Sequence, residues 1–255
     1  MSKQFSRGFM PALSFVMAVA VIPPILAQSK PPTIRTIMTY TVKTDRAGDM
    51  AAAIKEYNAI LKKALWDKSY TMWRSTTGPT EFVRVDYHAK WAELDAVTSK
   101  DPKFKEYQNE LARITLRITD SFLTSSRVVD IVNPEISLPR PAEMPKMIMV
   151  WTAHVKQGKM REAIEMEKNE YAPAVKSAGI KLYAFATTRF GAPANEVRST
   201  TGLDSWADLD EANPVRKAMG DEKYRAFSDK MGGLLDDYRY EIFRYDSELS
   251  YIAAK

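Results

Sequence analysis

The sequence predicts an α+β protein in which one unit, ordered βαββαβ, is written twice. Three observations predict it. The words Trp91-Ala92-Glu93-Leu94-Asp95 and Trp206-Ala207-Asp208-Leu209-Asp210 lie 115 residues apart and differ by one Glu/Asp exchange. Two stretches rich in β-branched and aromatic residues, Ile34 to Val42 and Met147 to Val155, each lead through a glycine turn into a segment of helical period. Between the copies, residues 133 to 145 hold four prolines and read as an extended linker along the surface.

In the first helices Met50, Ile54, Tyr57 and Leu61 recur at three- and four-residue spacing, as do Met160, Ile164 and Tyr171, so one face of each should lie on a sheet. Second strands follow at Tyr70 to Thr76 and Ile180 to Thr187, each closed by a turn with Gly78-Pro79 or Gly191-Ala192-Pro193. The third strands, Glu81 to Tyr87 and Glu196 to Thr200, share a Val-Arg pair, which places Arg198 where the first copy has Arg84. Proline disfavours helix at the residue before it, so Asp101-Pro102 and Asn213-Pro214 interrupt the helical regions that the tryptophan words open. Amphipathic helices then run through Phe104, Tyr107, Leu111 and Ile114, and through Tyr224, Phe227, Met231 and Leu234. Strands Ser126 to Val132 and Tyr238 to Tyr245 close the copies. The identical words Arg74-Ser75-Thr76-Thr77-Gly78 and Arg198-Ser199-Thr200-Thr201-Gly202 lack the glycines and lysine of a phosphate loop and read as turns.

Before the first strand, Lys3 and Arg7 form a basic start, and Phe9 to Val21 is apolar apart from Ser14, too short to span a bilayer comfortably. Pro23-Pro24 and Ile25-Leu26-Ala27 complete a cleavable signal, with the cut after Ala27. The expected organisation is a signal at 1–27 and two repeats at 28–138 and 139–255, in an exported protein, periplasmic or secreted, free of the membrane after cleavage. The formal charge of +5 falls to +3 once Lys3 and Arg7 leave, and its scatter argues against nucleic acid. With no cysteine there is no disulfide, thiolate metal site or lipid anchor.

A unit with a Trp-containing helix start after its third strand and Asp/Asn-Pro before its last helix resembles the dimeric α/β-barrel superfamily, whose units are ferredoxin-like. The resemblance implies two four-stranded antiparallel sheets paired into a barrel, here within one chain as a pseudo-dimer, the protein being a monomer or homodimer. Its members include cofactor-free monooxygenases of polyaromatic substrates, haem-dependent enzymes and stress proteins, and none of their catalytic motifs carries over residue by residue. The haem branches place a ligand histidine on a helix, whereas His88 and His154 fall on or just after strands.

The candidates for chemistry are few. His88 and His154 offer imidazoles as base or ligand, against the plainer account of strand-end histidines at the surface. No metal spacing joins them. Arg84, Asp86 and His88 alternate along one strand, a polar stripe able to orient an anion or relay a proton, and equally what a half-solvated strand produces. Tyr40 and Trp151 are read as equivalent, and Trp73 and Phe185 as nearly so; these aromatics and Arg198 line either a ligand cavity or plain core. Glu162, Glu165, Glu167 and Glu170 crowd one helix and read as its solvated face. His154, His88 and Arg84 are thus the catalytic candidates, and Trp151, Tyr40, Trp73 and Arg198 the ligand-binding ones. The halves are expected to differ at their sites, Lys43 standing where the second has His154. The expectation is a small-molecule-binding or stress-associated barrel without an intrinsic cofactor, its ligand small and apolar or aromatic. The alternatives are a cofactor-independent monooxygenase-like enzyme and an interaction module without a ligand.

Overall fold

The computed structural model describes residues 34–97, 102–210 and 213–253. The expected signal at 1–27 and Asp101 lie outside these residues. Eight strands form one closed antiparallel barrel in the order β1-β3-β2-β8-β5-β7-β6-β4. They are β1 (Ile34–Val42), β2 (Tyr70–Ser75), β3 (Glu81–His88), β4 (Phe122–Val132), β5 (Met147–Val155), β6 (Tyr183–Phe190), β7 (Glu196–Leu203) and β8 (Leu235–Tyr251). The two seams that close the barrel, β2 on β8 and β4 on β6, both join the first half of the chain to the second.

Helices cover the outside. In the first half these are α1 (Ala47–Lys63) and α2 (Pro102–Ser121). In the second, α3 (Met160–Met166), a π-helical turn (Glu167–Tyr171) and α4 (Ala172–Ser177) form one broken helix, followed by α5 (Pro214–Met219) and α6 (Asp221–Leu234). Pro173 explains the break: it has no N–H to give to the carbonyl four residues back, and its ring crowds that carbonyl, so the ladder shifts register in the turn before it. Asn213 caps α5, its side chain accepting from the Val215 N–H at 2.9 Å, with Pro214 in the first turn. Trp91 and Trp206 both begin 3₁₀ helices, Trp91–Val97 and Trp206–Leu209.

Three apolar layers result. One packs α1 and α2 on the first four strands around Met50, Leu61 and Phe82; another packs the second-half helices on their strands around Val175, Tyr183 and Phe185. The third lies inside the barrel, around Trp73, Val83, Ile148 and Phe243.

The sequence reading needs correcting in three places. The segment from 133 to 145 does not simply run along the surface. Ile136 is fully buried in the second-half core, and the Asn133 and Leu138 amides donate to the Phe185 and Tyr183 carbonyls at 2.8 Å, because a buried backbone needs partners. Arg198 to Gly202 is strand, lying wholly within β7. The shared Val-Arg pair misplaces Arg198: Arg84 pairs with Met38 on the helix face of its sheet, whereas Arg198 pairs with Thr152 on the barrel face. Arg84 lies opposite Arg198 in facing because side chains alternate along a strand, so a slip of one residue exchanges the two faces.

Candidate functional site

The register gives a firmer equivalence between the halves than the words do. Bulges fall at Thr41/Val42 against β4 and at His154/Val155 against β8. The Val42 amide donates to Thr80 and the Val155 amide to Asn195, each just before the third strand. Val42 therefore matches Val155, and Thr41, not Lys43, stands where the second half has His154. Trp151 matches Met38 rather than Tyr40, and Ser199 matches Arg84. Trp73 faces the barrel, and Phe185 faces the helices.

Between the second-half sheet and its helices lies a cavity of ≈ 280 Å³. Its floor is the helix face of the sheet, Met149 and Trp151 from β5, Tyr183 from β6 and Ser199 from β7, with Tyr238 and Tyr240 at one side. Its roof is Tyr171, Phe227 and Met231. Tyr171 stacks on Phe227 with ring centres 5.1 Å apart and tilts against Tyr183 at 5.8 Å. The π-helical turn carries Glu167 into this apolar space, where its residue is 4% exposed. The Tyr183 hydroxyl donates to its carboxylate. Burial pushes the Glu167 carboxyl up to about 7, against the lowering effect of that hydrogen bond. Burial and the Glu167 charge together hold the Tyr183 phenol well above its ordinary range. Near neutrality the pair thus holds a carboxyl divided between acid and base forms, next to a phenol that stays protonated.

The first half repeats the hydrogen bond without the acid. Tyr70, which pairs with Asp86 as Tyr183 pairs with Thr201, donates to the Asn58 side chain on α1. Beside it Arg84 lies 4.0 Å over the Tyr70 ring and grips Asp86 through Nε and a second nitrogen, the latter at 2.7 Å. Tyr40 packs against this group and against Phe122. Asn58 does not titrate, so the tyrosine's hydrogen-bond partner can exchange a proton in the second half and not in the first.

The remaining sequence candidates scatter. His88 ends β3 with its Nδ1 buried and without a hydrogen-bond partner among the described residues, and Glu93 is 4.0 Å away. Burial, aided by Lys68 and Arg127, holds its imidazole below the ordinary value against the pull of Asp86 and Glu93. His154 sits on the barrel face of β5, held by Asp237 at 2.7 Å and 3.4 Å from Glu196. Three residues from Trp151, it faces the opposite side of the sheet. Trp73 is barrel core, its indole N–H donating to Thr71 at 3.1 Å. Arg198 pairs with Glu196 at 2.6 Å in the barrel. The structure thus brings together Arg84 and Tyr40 in the first half, and Arg198 and His154 around Glu196; Trp151 alone reaches the second-half cavity.

Glu167 and Tyr183, the hydrogen-bonded pair of this cavity, are not among the catalytic and ligand-binding candidates of the sequence, and the reading of Glu167 as part of a solvated helix face is corrected by its burial. One signal points to Glu167: it stands four residues from Ala163 and four from Tyr171, on the apolar stripe of its helix, where a carboxylate is out of place.

No family model and no curated protein matches the sequence. Solved structures do match the fold. A proposed monooxygenase from Fusobacterium nucleatum superposes with a TM-score of 0.59 at 12% identity, covering 85% of this chain and 94% of that one. Another proposed monooxygenase, from Lactobacillus acidophilus, has a TM-score of 0.59 at 10% identity, covering 88% and 97%. An anthrone oxidase-like protein has 0.57 at 14% identity, covering 89% and 95%. The fold is that of the dimeric α/β barrels. At these identities the likeness establishes architecture and leaves the chemistry to the site. The haem that the resemblance implied for some barrels does not fit the second-half cavity, which no imidazole lines.

Proposed function

We propose that the protein binds a small hydroxylated aromatic molecule in the second-half cavity and that Glu167 takes a proton from it. The observation that carries this reading is a buried carboxyl with a value near 7, hydrogen-bonded to a protonated phenol and walled by aromatic rings. A general base works best when its pKa lies near the operating pH. Trp151, Tyr171 and Phe227 offer flat faces for an aromatic ring. Proton transfer from the ligand leaves its anion and a neutral Glu167, with the Tyr183 O–H as the neighbouring donor. In the oxygenase form of this reading dioxygen is the co-reactant that oxidises the anion, which agrees with the names of the structural neighbours.

The finer organisation belongs to the same proposal. Residues 28–138 and 139–255 are two copies of a ferredoxin-like unit, supported by the matched bulges, the paired 3₁₀ tryptophans and the repeated tyrosine-to-helix hydrogen bond. Residues 1–27 are an export signal, and N-terminal sequencing of exported protein beginning at Gln28 is the expected outcome.

Anthrone, whose enol form is a hydroxylated aromatic and gives the same anion on loss of a proton, tests the function when mixed with the full chain in air. The expected result is accelerated oxidation, followed by product absorbance, that falls about 10²–10⁴-fold in Glu167→Gln and is unchanged in His154→Ala. Equal rates in wild type and Glu167→Gln would overturn the role given to Glu167. Saturable binding without turnover leaves the ligand-binding part of the reading and removes the enzymatic part.

A further inference from the structure

We propose that the interior of the barrel is a second ligand site, separate from the sheet–helix cavity, and that it takes a small carboxylate with an apolar body. The inward faces of the strands, together with Arg140, Met144 and Leu182, border a cavity of ≈ 250 Å³. A single water needs only about 10–15 Å³ of such space, so the cavity has room for a small ligand and not merely for a lone water. Eight-stranded barrels are just wide enough to be filled by side chains or to hold one small ligand. Here the side chains stop short of filling the interior.

The wall has two characters. Val83, Val85, Ile148, Val150 and Phe243 make an apolar surface on which a bound water finds few partners. Arg35 and Arg198 line the same space and are held from behind: Arg35 by Asp130 at 2.6 Å, Arg198 by Glu196 at 2.6 Å. Asp130 and Glu196 are 0% and 3% exposed and do not themselves line the cavity, whereas Arg35 and Arg198 do; the Arg35 guanidinium also donates to Thr200 at 3.3 Å. The carboxylates that do line it, Glu81 and Glu241, stand with Arg239, which pairs with Glu241 at 3.2 Å.

Burial, with Arg35 and Arg239 nearby, holds the Arg198 guanidinium below its ordinary value despite Glu196. An anion beside Arg198 relieves that field, and a guanidinium's planar fork fits a carboxylate with two parallel hydrogen bonds. The Thr152 hydroxyl, on the strand position facing Arg198, adds a further donor. The apolar body then lies along Val83 and Ile148. None of these groups belongs to the Glu167 cavity, so the two proposals stand or fall separately.

Calorimetric titration of the full chain with octanoate and, separately, 1-octanol tests the site. The expected result is one octanoate per chain, bound at least tenfold more tightly than octanol. Arg198→Met should reduce octanoate to the level of octanol. Val150→Trp, which fills the space, should remove both, and Trp151→Ala should change neither. Val83→Phe narrows the same wall and takes the place of Val150→Trp if circular dichroism shows that variant unfolded. The proposal is overturned by the absence of saturable octanoate binding, by equal affinity for octanol, or by binding that survives filling the barrel. Octanoate binding lost in Trp151→Ala but kept in Val150→Trp would place the ligand in the sheet–helix cavity and overturn it as well.

Discussion

Replacing Glu167 by glutamine should change how stability depends on pH. The native carboxyl is raised from 4.5 to about 7, so between these values the folded protein holds a proton that the unfolded chain has released. The stability this group contributes is therefore fully present below about pH 4.5 and is lost as pH rises through about 7. Each unit is worth 1.36 kcal/mol, so the loss is about 3 kcal/mol for a group this deeply buried. For a chain of this size it corresponds to roughly 6–12 °C in Tm, at about 2–4 °C per kcal/mol. Glutamine keeps the size and an acceptor for the Tyr183 hydroxyl but has no proton to lose. Urea or thermal unfolding of both proteins from pH 4.5 to 8.5 should show a difference that grows with pH in favour of Glu167→Gln. A difference that stays constant across that range would refute both the burial argument and the placement of Glu167 on the inner side of the π turn.

Two further outcomes test the barrel. Asp130→Ala leaves Arg35 charged and unpaired in the interior and should cost about 3–5 kcal/mol in urea unfolding, whereas Asp130→Leu combined with Arg35→Met, which removes both charges, should cost less than the single change. Gly191 has φ +84° and an added Cβ would lie 1.8 Å from the Arg127 carbonyl oxygen, so Gly191→Ala should destabilise well beyond Gly78→Ala, where φ is +73° in open space and the cost is about 1–2 kcal/mol. Equal midpoints in denaturant for the two alanine variants would contradict the close approach of β6 to β4.

The order of strands and helices is legible because strand period, helix period and turn residues agree over most of the chain. β1 and β5 begin and end where the alternation of their residues places them. Which face a residue takes is not legible. The Val83-Arg84 and Val197-Arg198 pairs match as letters, yet the ladders set them one position apart and so on opposite sides of the sheet. Alternation along β5 likewise separates Trp151 from His154, which lie three residues apart and therefore cannot share a face. Glu167 is hidden by its company: Glu162, Glu165 and Glu170 are exposed, and reading all four carboxylates as one solvated face passes over the spacing that sets Glu167 four residues from both Ala163 and Tyr171, on the apolar stripe. The π turn is a property of the ladder, and the sequence betrays it only through the proline that follows.

β8 carries a consequence for the order in which the molecule can be completed. It pairs with β5 through residues 235 to 244 and with β2 through 243 to 251, so a single strand belongs to both halves of the wall. During synthesis β2 emerges early and must wait, one edge open, until a strand about 175 residues later reaches it. Open strand edges template pairing with other chains. Over that interval the growing polypeptide is exposed to intermolecular mispairing, and the step that ends the exposure is a contact of very long sequence separation, which closes slowly. In the completed seam Arg74 meets Asp246 and Tyr70 meets Tyr251, contacts that favour the register in which the barrel shuts.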